Sequence, residues 1–105
     1  MAQFDVFDNP NIGQRGGFPF VVVMQSDQLS QHSTRLVMPL ARMPRAPVEA
    51  PRRLSQVVRI GAESLYPAAH LCGALPARLL RHPTHSLRAQ ADVLRDALDA
   101  VVSGI

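Results

Sequence analysis

Nine prolines punctuate the first 83 residues of this 105-residue chain, and none follows Pro83. Proline fixes φ and removes a backbone donor, so a segment studded with it breaks into short extended pieces and turns. The chain therefore divides into a strand-rich body over 1–83 and a helical tail, within a length that suits one domain and one modest core. The hydrophobic content of 47% is that of a globular protein, and four Phe, one Tyr and no Trp make the core mostly aliphatic.

Within the body, Gln3 to Phe7 alternates as a strand with Phe4 and Val6 on one face, and DNPNIGQRGG (8–17) reads as a turn-rich loop. Phe18 to Met24 is a β-branched and aromatic run, the mark of a central strand, and Thr34 to Leu40 reads as its hairpin partner. RMPRAPVEAPRR (42–53), with three Pro and four Arg, reads as an exposed excursion. Leu54 to Ile60 is a further strand, turned by Gly61-Ala62-Glu63 into an antiparallel return over Ser64 to Leu71, and Ala77 to Leu80 gives a short last strand. Short strands joined by turns predict a small barrel or a sheet curled on itself.

The tail changes period. Leu87, Ala91, Leu94, Leu98, Val101 and Val102 recur at the 3–4 spacing of one helix face, so the spacing predicts a helix over about 86–103 with Ser86 as N-cap. Arg88, Asp92, Arg95, Asp96 and Asp99 fall on the opposite face, where Arg95 is in helical reach of Asp92 and Asp99. Val101, Val102 and Ile105 carry the apolar face past the expected end of a single core, which suits either packing within the monomer or a partner surface such as a two-fold dimer.

Candidate chemistry is sparse. His82 and His85 lie three apart in RHPTH, without further ligands in a metal-binding pattern. Cys72 with His70 is a conceivable nucleophile pair, but a small inert core thiol is the better reading. Glu49 and Glu63 sit in different loops, and Gly16-Gly17 is a turn rather than a phosphate loop. Arg42, Arg45, Arg52 and Arg53 suit either a solvated loop or a phosphate-contacting patch. The formal charge of +3, carried entirely by Arg, permits an acidic partner without requiring one. A lone cysteine, no signal-peptide pattern and no apolar stretch of membrane-spanning length point to a cytoplasmic protein without cofactor or metal. The balance favours a protein that binds over an enzyme.

AQFDVF, VVVMQSD, RLVMPLA, VVRIGAESL and the terminal VVSGI occur in this order in the CcdB family of plasmid and chromosomal toxins, which the chain resembles along essentially its whole length. The resemblance implies a mainly β fold, an SH3-like barrel of the plasmid maintenance toxin type with a C-terminal helix, assembled as a homodimer. It implies a toxin without catalysis that binds the DNA gyrase A subunit and traps the enzyme on cleaved DNA. It further implies a CcdA-like antitoxin that displaces the toxin, and an autorepressing complex in which operator DNA is met through the antitoxin.

Carried over position by position, the gyrase-binding residues are Gln28 and Leu29 after the Gln-Ser-Asp triplet, and Asp99, Val102, Ser103, Gly104 and Ile105 at the helix end. Gly104 and Ile105 match the family. Asp99, Val102 and Ser103 replace its Asn, Phe and Trp, and a buried interfacial aromatic accounts for about 2 kcal/mol of affinity or more. Two other readings stay open: a ribonuclease on the same barrel, using Arg35 beside Thr34 and Ser33, and a non-toxic co-repressor that keeps only its antitoxin.

Overall fold

A computed structural model describes residues 1–29, 31–42 and 56–103. Expectations for Arg45, Glu49, Arg52, Arg53, Leu54, Gly104 and Ile105 lie outside these residues.

Among the described residues seven strands follow in chain order: β1 (Asp5–Asp8), β2 (Phe20–Val23), β3 (Thr34–Ala41), β4 (Val58–Ile60), β5 (Glu63–Pro67), β6 (Gly73–Pro76) and β7 (His85–Ser86). They pair antiparallel in the order β4-β5-β3-β2-β1-β7, and β6 also lies on β3, so the sheet curls into a nearly closed small barrel. The last element is the helix α1 (Ala91–Ser103). The small barrel with a C-terminal helix is the predicted fold class.

β2 reads FVVV because both its faces are covered. Val22 points into the main core with Phe4, Val6, Met38, Leu40, Leu65, Leu87 and Leu94, all under 4% exposed. Val21 and Val23 join Phe7, Val37 and Leu80 in a second cluster behind the sheet. A strand between two apolar layers carries a continuous hydrophobic run instead of an alternating one.

β3 organises the rest. Its Leu40 and Ala41 pair with Pro67 and Tyr66 of β5, whereas Thr34 to Val37 pair with Pro76 back to Gly73 of β6. Residues 68–72, with a 3-10 helical turn at Ala69–Leu71, stand opposite only Met38 and Pro39 and bow out of the ladder. The carbonyl of Pro39 accepts from the N–H of Ala68 at 2.9 Å, so the nitrogen of Pro39 faces that same bowed side. Its missing N–H leaves no ladder bond unmade, which lets proline sit inside a central strand.

The β4–β5 hairpin pairs Ile60 with Glu63 across Gly61-Ala62, and Gly61 takes φ 61°, the left-handed value this tight turn requires of its first loop residue. Phe4 also lies in the left-handed region, at φ 71°. Its N–H donates to the Val23 carbonyl at 2.7 Å and its carbonyl accepts from Leu87 at 2.8 Å, so the surrounding bonds fix a conformation a bulky side chain otherwise avoids.

Several boundaries differ from the sequence reading: among them, the strand expected over Leu54 to Ile60 is described only from Val58, and the return expected over Ser64 to Leu71 ends at Pro67. The predicted strand over Ala77 to Leu80 is a 3-10 turn (Ala77–Leu79), and the strand is the preceding GALP. The helical tail opens with a 3-10 turn at Arg88–Gln90, so the α-helix has 13 residues, about 20 Å at 1.5 Å each. Ser86 belongs to β7, from where its hydroxyl accepts from the Arg88 N–H at 3.3 Å. Finally, the buried face of α1 is Ala91, Leu94, Ala97 and Ala100, with Leu98 packed only at its margin.

Candidate functional surface

Two segments carry the residues singled out for target binding. The first is the β2–β3 connection, where a 3-10 turn (Asp27–Leu29) follows the end of the VVVM run. Ser26 accepts from the Gln28 N–H at 3.2 Å through its hydroxyl, and the Leu29 N–H closes on the Ser26 carbonyl at 2.9 Å. The turn leaves Gln28 exposed and the Leu29 side chain 46% exposed.

The second segment is the end of α1. Small Ala97 and Ala100 seat the helix against the body, and the same rotation turns the following residues outward. Val101 is 38% exposed and Val102 is 77% exposed. The Ser103 hydroxyl donates to the Asp99 carbonyl one turn back at 2.6 Å, a local bond that folds its side chain onto the helix. Gly104 and Ile105 lie beyond the described residues.

Gln3 bonds the first segment, and Phe4 contacts the helix that carries the second. Asp27 accepts from the Gln3 N–H at 2.7 Å, and the Gln3 side-chain amide donates to the Met24 carbonyl at 3.0 Å. On the other side the Arg95 guanidinium lies 5.1 Å from the centroid of the Phe4 ring, a cation–π contact. Arg95, Asp99 and Val102 follow at i, i+4 and i+7 on one helix face, so the stripe that ends in the exposed tip begins on Phe4. Neither Gln3 nor Phe4 stands out in the sequence, where they read only as strand residues.

The remaining candidates have ordinary surroundings. Cys72 packs half-buried at the edge of the main core, and burial pushes its thiol from 9.0 to about 11, so it is protonated and unreactive at neutral pH. His85 bonds the Thr84 hydroxyl at 3.0 Å and meets the Phe20 ring edge-on at 6.1 Å. Among the described residues no group of three or more His, Cys, Asp or Glu is placed to hold a metal ion, and no helix is long and apolar enough to cross a membrane. Arg42 pairs with Glu63 at 3.0 Å, both side chains being largely solvated.

Arg35 overturns the nuclease cluster drawn from the sequence. It is 8% exposed, and its guanidinium donates to the carbonyls of His32 and Thr34, the latter at 2.9 Å. Ser33 and Thr34 stay exposed, but the cation beside them is turned inward into its own hairpin.

The described residues form a small barrel that ends in a helix with Val101 and Val102 exposed. The sequence profile of the CcdB family, described as CcdB protein, matches residues 3–104, and the chain belongs to that family. Membership makes it a toxin of a toxin–antitoxin system. No curated protein matches the chain.

Proposed function

We propose that the protein inhibits DNA gyrase by binding its A subunit through the Asp27–Leu29 turn and the end of α1, trapping the enzyme on cleaved DNA. The observation that carries this reading is Val102, 77% exposed at the end of a helix seated through Leu94 and three alanines, in a chain whose family match runs through residue 104. Exposing a branched apolar side chain at a helix end gains nothing within the monomer, whereas burying it against a partner contributes about 1.5 kcal/mol or more. Gln28, Leu29, Asp99, Val102, Ser103, Gly104 and Ile105 form the binding set. No group transfer is involved, and the protein acts as a cytoplasmic homodimer.

A CcdA-like antitoxin neutralises the toxin and joins it in an operator-binding complex. The decisive experiment is a gyrase cleavage assay with purified protein. Stabilised cleaved DNA at micromolar toxin is the expected result, and its loss on removal of residues 103–105 is expected to follow. Intact supercoiling activity with no cleaved product at that concentration sinks the proposal.

One observation favours a second reading. Ser103 stands where the family carries an aromatic, and its hydroxyl bonds back to Asp99 at 2.6 Å. A co-repressor that keeps its antitoxin but not its target would leave growth unaffected when expressed alone, while its antitoxin complex still shifts operator DNA.

A further inference from the structure

The turn that carries Gln28 and Leu29 does not rest on packing, because none of Ser26 to Leu29 is buried. A short exposed turn with no apolar anchor samples many conformations unless polar bonds restrain it. Besides the bonds within the turn, one side chain ties it to the returning strand. From the end of β2, the Gln25 amide nitrogen donates to the Leu29 carbonyl at 3.0 Å and to the Thr34 carbonyl at 3.3 Å. Its amide oxygen accepts from the Leu36 N–H at 3.1 Å. Gln25 thereby ties the residue that closes the turn to the first residues of the returning strand. Arg35 braces the far limb through the carbonyls of His32 and Thr34.

We infer that Gln25 is a positioning residue for target binding: it touches no partner itself, and its amide holds the Gln28–Leu29 turn in the shape that binds. The inference rests on the proposed gyrase-binding role of that turn. Only an amide fits the three-bond arrangement, since two of the partners are carbonyls that need a donor and one is an N–H that needs an acceptor. Glutamate at this position keeps the acceptor for Leu36 but sets a charge against two carbonyl oxygens. Methionine keeps the length and volume and makes none of the bonds.

Three measurements test this on the full-length protein. Gln25→Met is expected to bind a gyrase A fragment about tenfold more weakly than the wild type, the factor that corresponds to 1.4 kcal/mol. Amide hydrogen exchange at Leu29 and His32, whose N–H groups close on Ser26 and Leu29, is expected to accelerate by a similar factor. In a double-mutant cycle, Gln25→Met and Leu29→Ala are expected to be non-additive, while Gln25→Met and Val102→Ala add. A residue that merely stabilises the fold would weaken both pairs alike, and this cycle separates the two roles.

Gln25→Glu, which keeps the Leu36 bond and thus the strand end, is expected to show the same binding loss and guards against a folding defect in the methionine variant. Wild-type affinity in both variants, or full additivity with Leu29→Ala, would overturn the inference. A wild-type protein that fails to bind the gyrase fragment refutes the gyrase reading itself, an outcome distinct from a wild type that binds and a Gln25→Met variant that binds equally well.

Discussion

Leu94→Ala removes the one large side chain of the helix that is fully buried in the barrel core. Leu94 is 0% exposed in the main core, and the other buried helix positions, Ala91, Ala97 and Ala100, have nothing further to lose by truncation. The substitution deletes the equivalent of three methylene groups at about 0.8 kcal/mol each, or about 2.4 kcal/mol of transfer free energy. The space left is bordered by strands and by the Ala69–Leu71 turn, so it closes only partly, and the cavity raises the cost to about 3–4 kcal/mol. Against a total of about 5–15 kcal/mol for a domain of this kind, the loss is a large share of stability.

Urea unfolding, followed by circular dichroism at one fixed protomer concentration, reads this as a fall in midpoint at unchanged slope. Val102→Ala serves as the internal contrast. At 77% exposure it is expected to move stability by less than about 0.5 kcal/mol while weakening target binding. A Leu94→Ala loss below about 1 kcal/mol would refute the claim that this side chain docks the helix.

Gly61→Ala, at φ 61°, is expected to cost about 1 kcal/mol in the same urea assay despite open space around the added methyl. Glu63→Ala breaks the solvated pair with Arg42 and is expected to cost no more than about 0.5 kcal/mol, an effect that salt erases. The Cys72 thiol, raised by burial from 9.0 to about 11, is expected to be alkylated by iodoacetamide at pH 8 about a hundredfold more slowly than an unperturbed thiol. The same shift gives a sign for stability. The folded state holds the proton longer than the unfolded one, so the contribution is fully present below pH 9 and declines as pH rises towards 11 in alkaline unfolding curves.

Where a segment answers to one periodic signal, its element is readable from the sequence. FVVV is a strand because a continuous apolar run suits a position covered on both faces, and Gly61-Ala62 marks the β4–β5 hairpin because the turn needs a left-handed first residue. Where the cause is tertiary, the residues say little. GALP contains no strand-former beyond Leu75 and is extended only because β3 presents Thr34 to Val37 for it to pair with. The following ARLL has the better composition, yet it curls into a 3-10 turn to bury Leu80 against Phe7 and Val23. Arg35 could not be told from a surface arginine, because what buries it is the carbonyl geometry of a turn formed several residues away.

The same reasoning explains the helix, whose predicted face was partly misassigned. A hydrophobic pattern ranks residues by apolarity and therefore favours Leu98, Val101 and Val102 over Ala97 and Ala100. Packing ranks them by distance to the body, and small side chains allow the helix backbone to lie close over a curled sheet. Ala97 at 1% and Ala100 at 5% exposure sit on the contact line, and the larger Val102 is displaced to the far side. The apolarity that misleads a prediction of the core thus marks the proposed binding surface. A helix that packs through Leu94 and small alanines leaves its later valines outside the core, and their exposure is the physical basis on which the binding proposal rests.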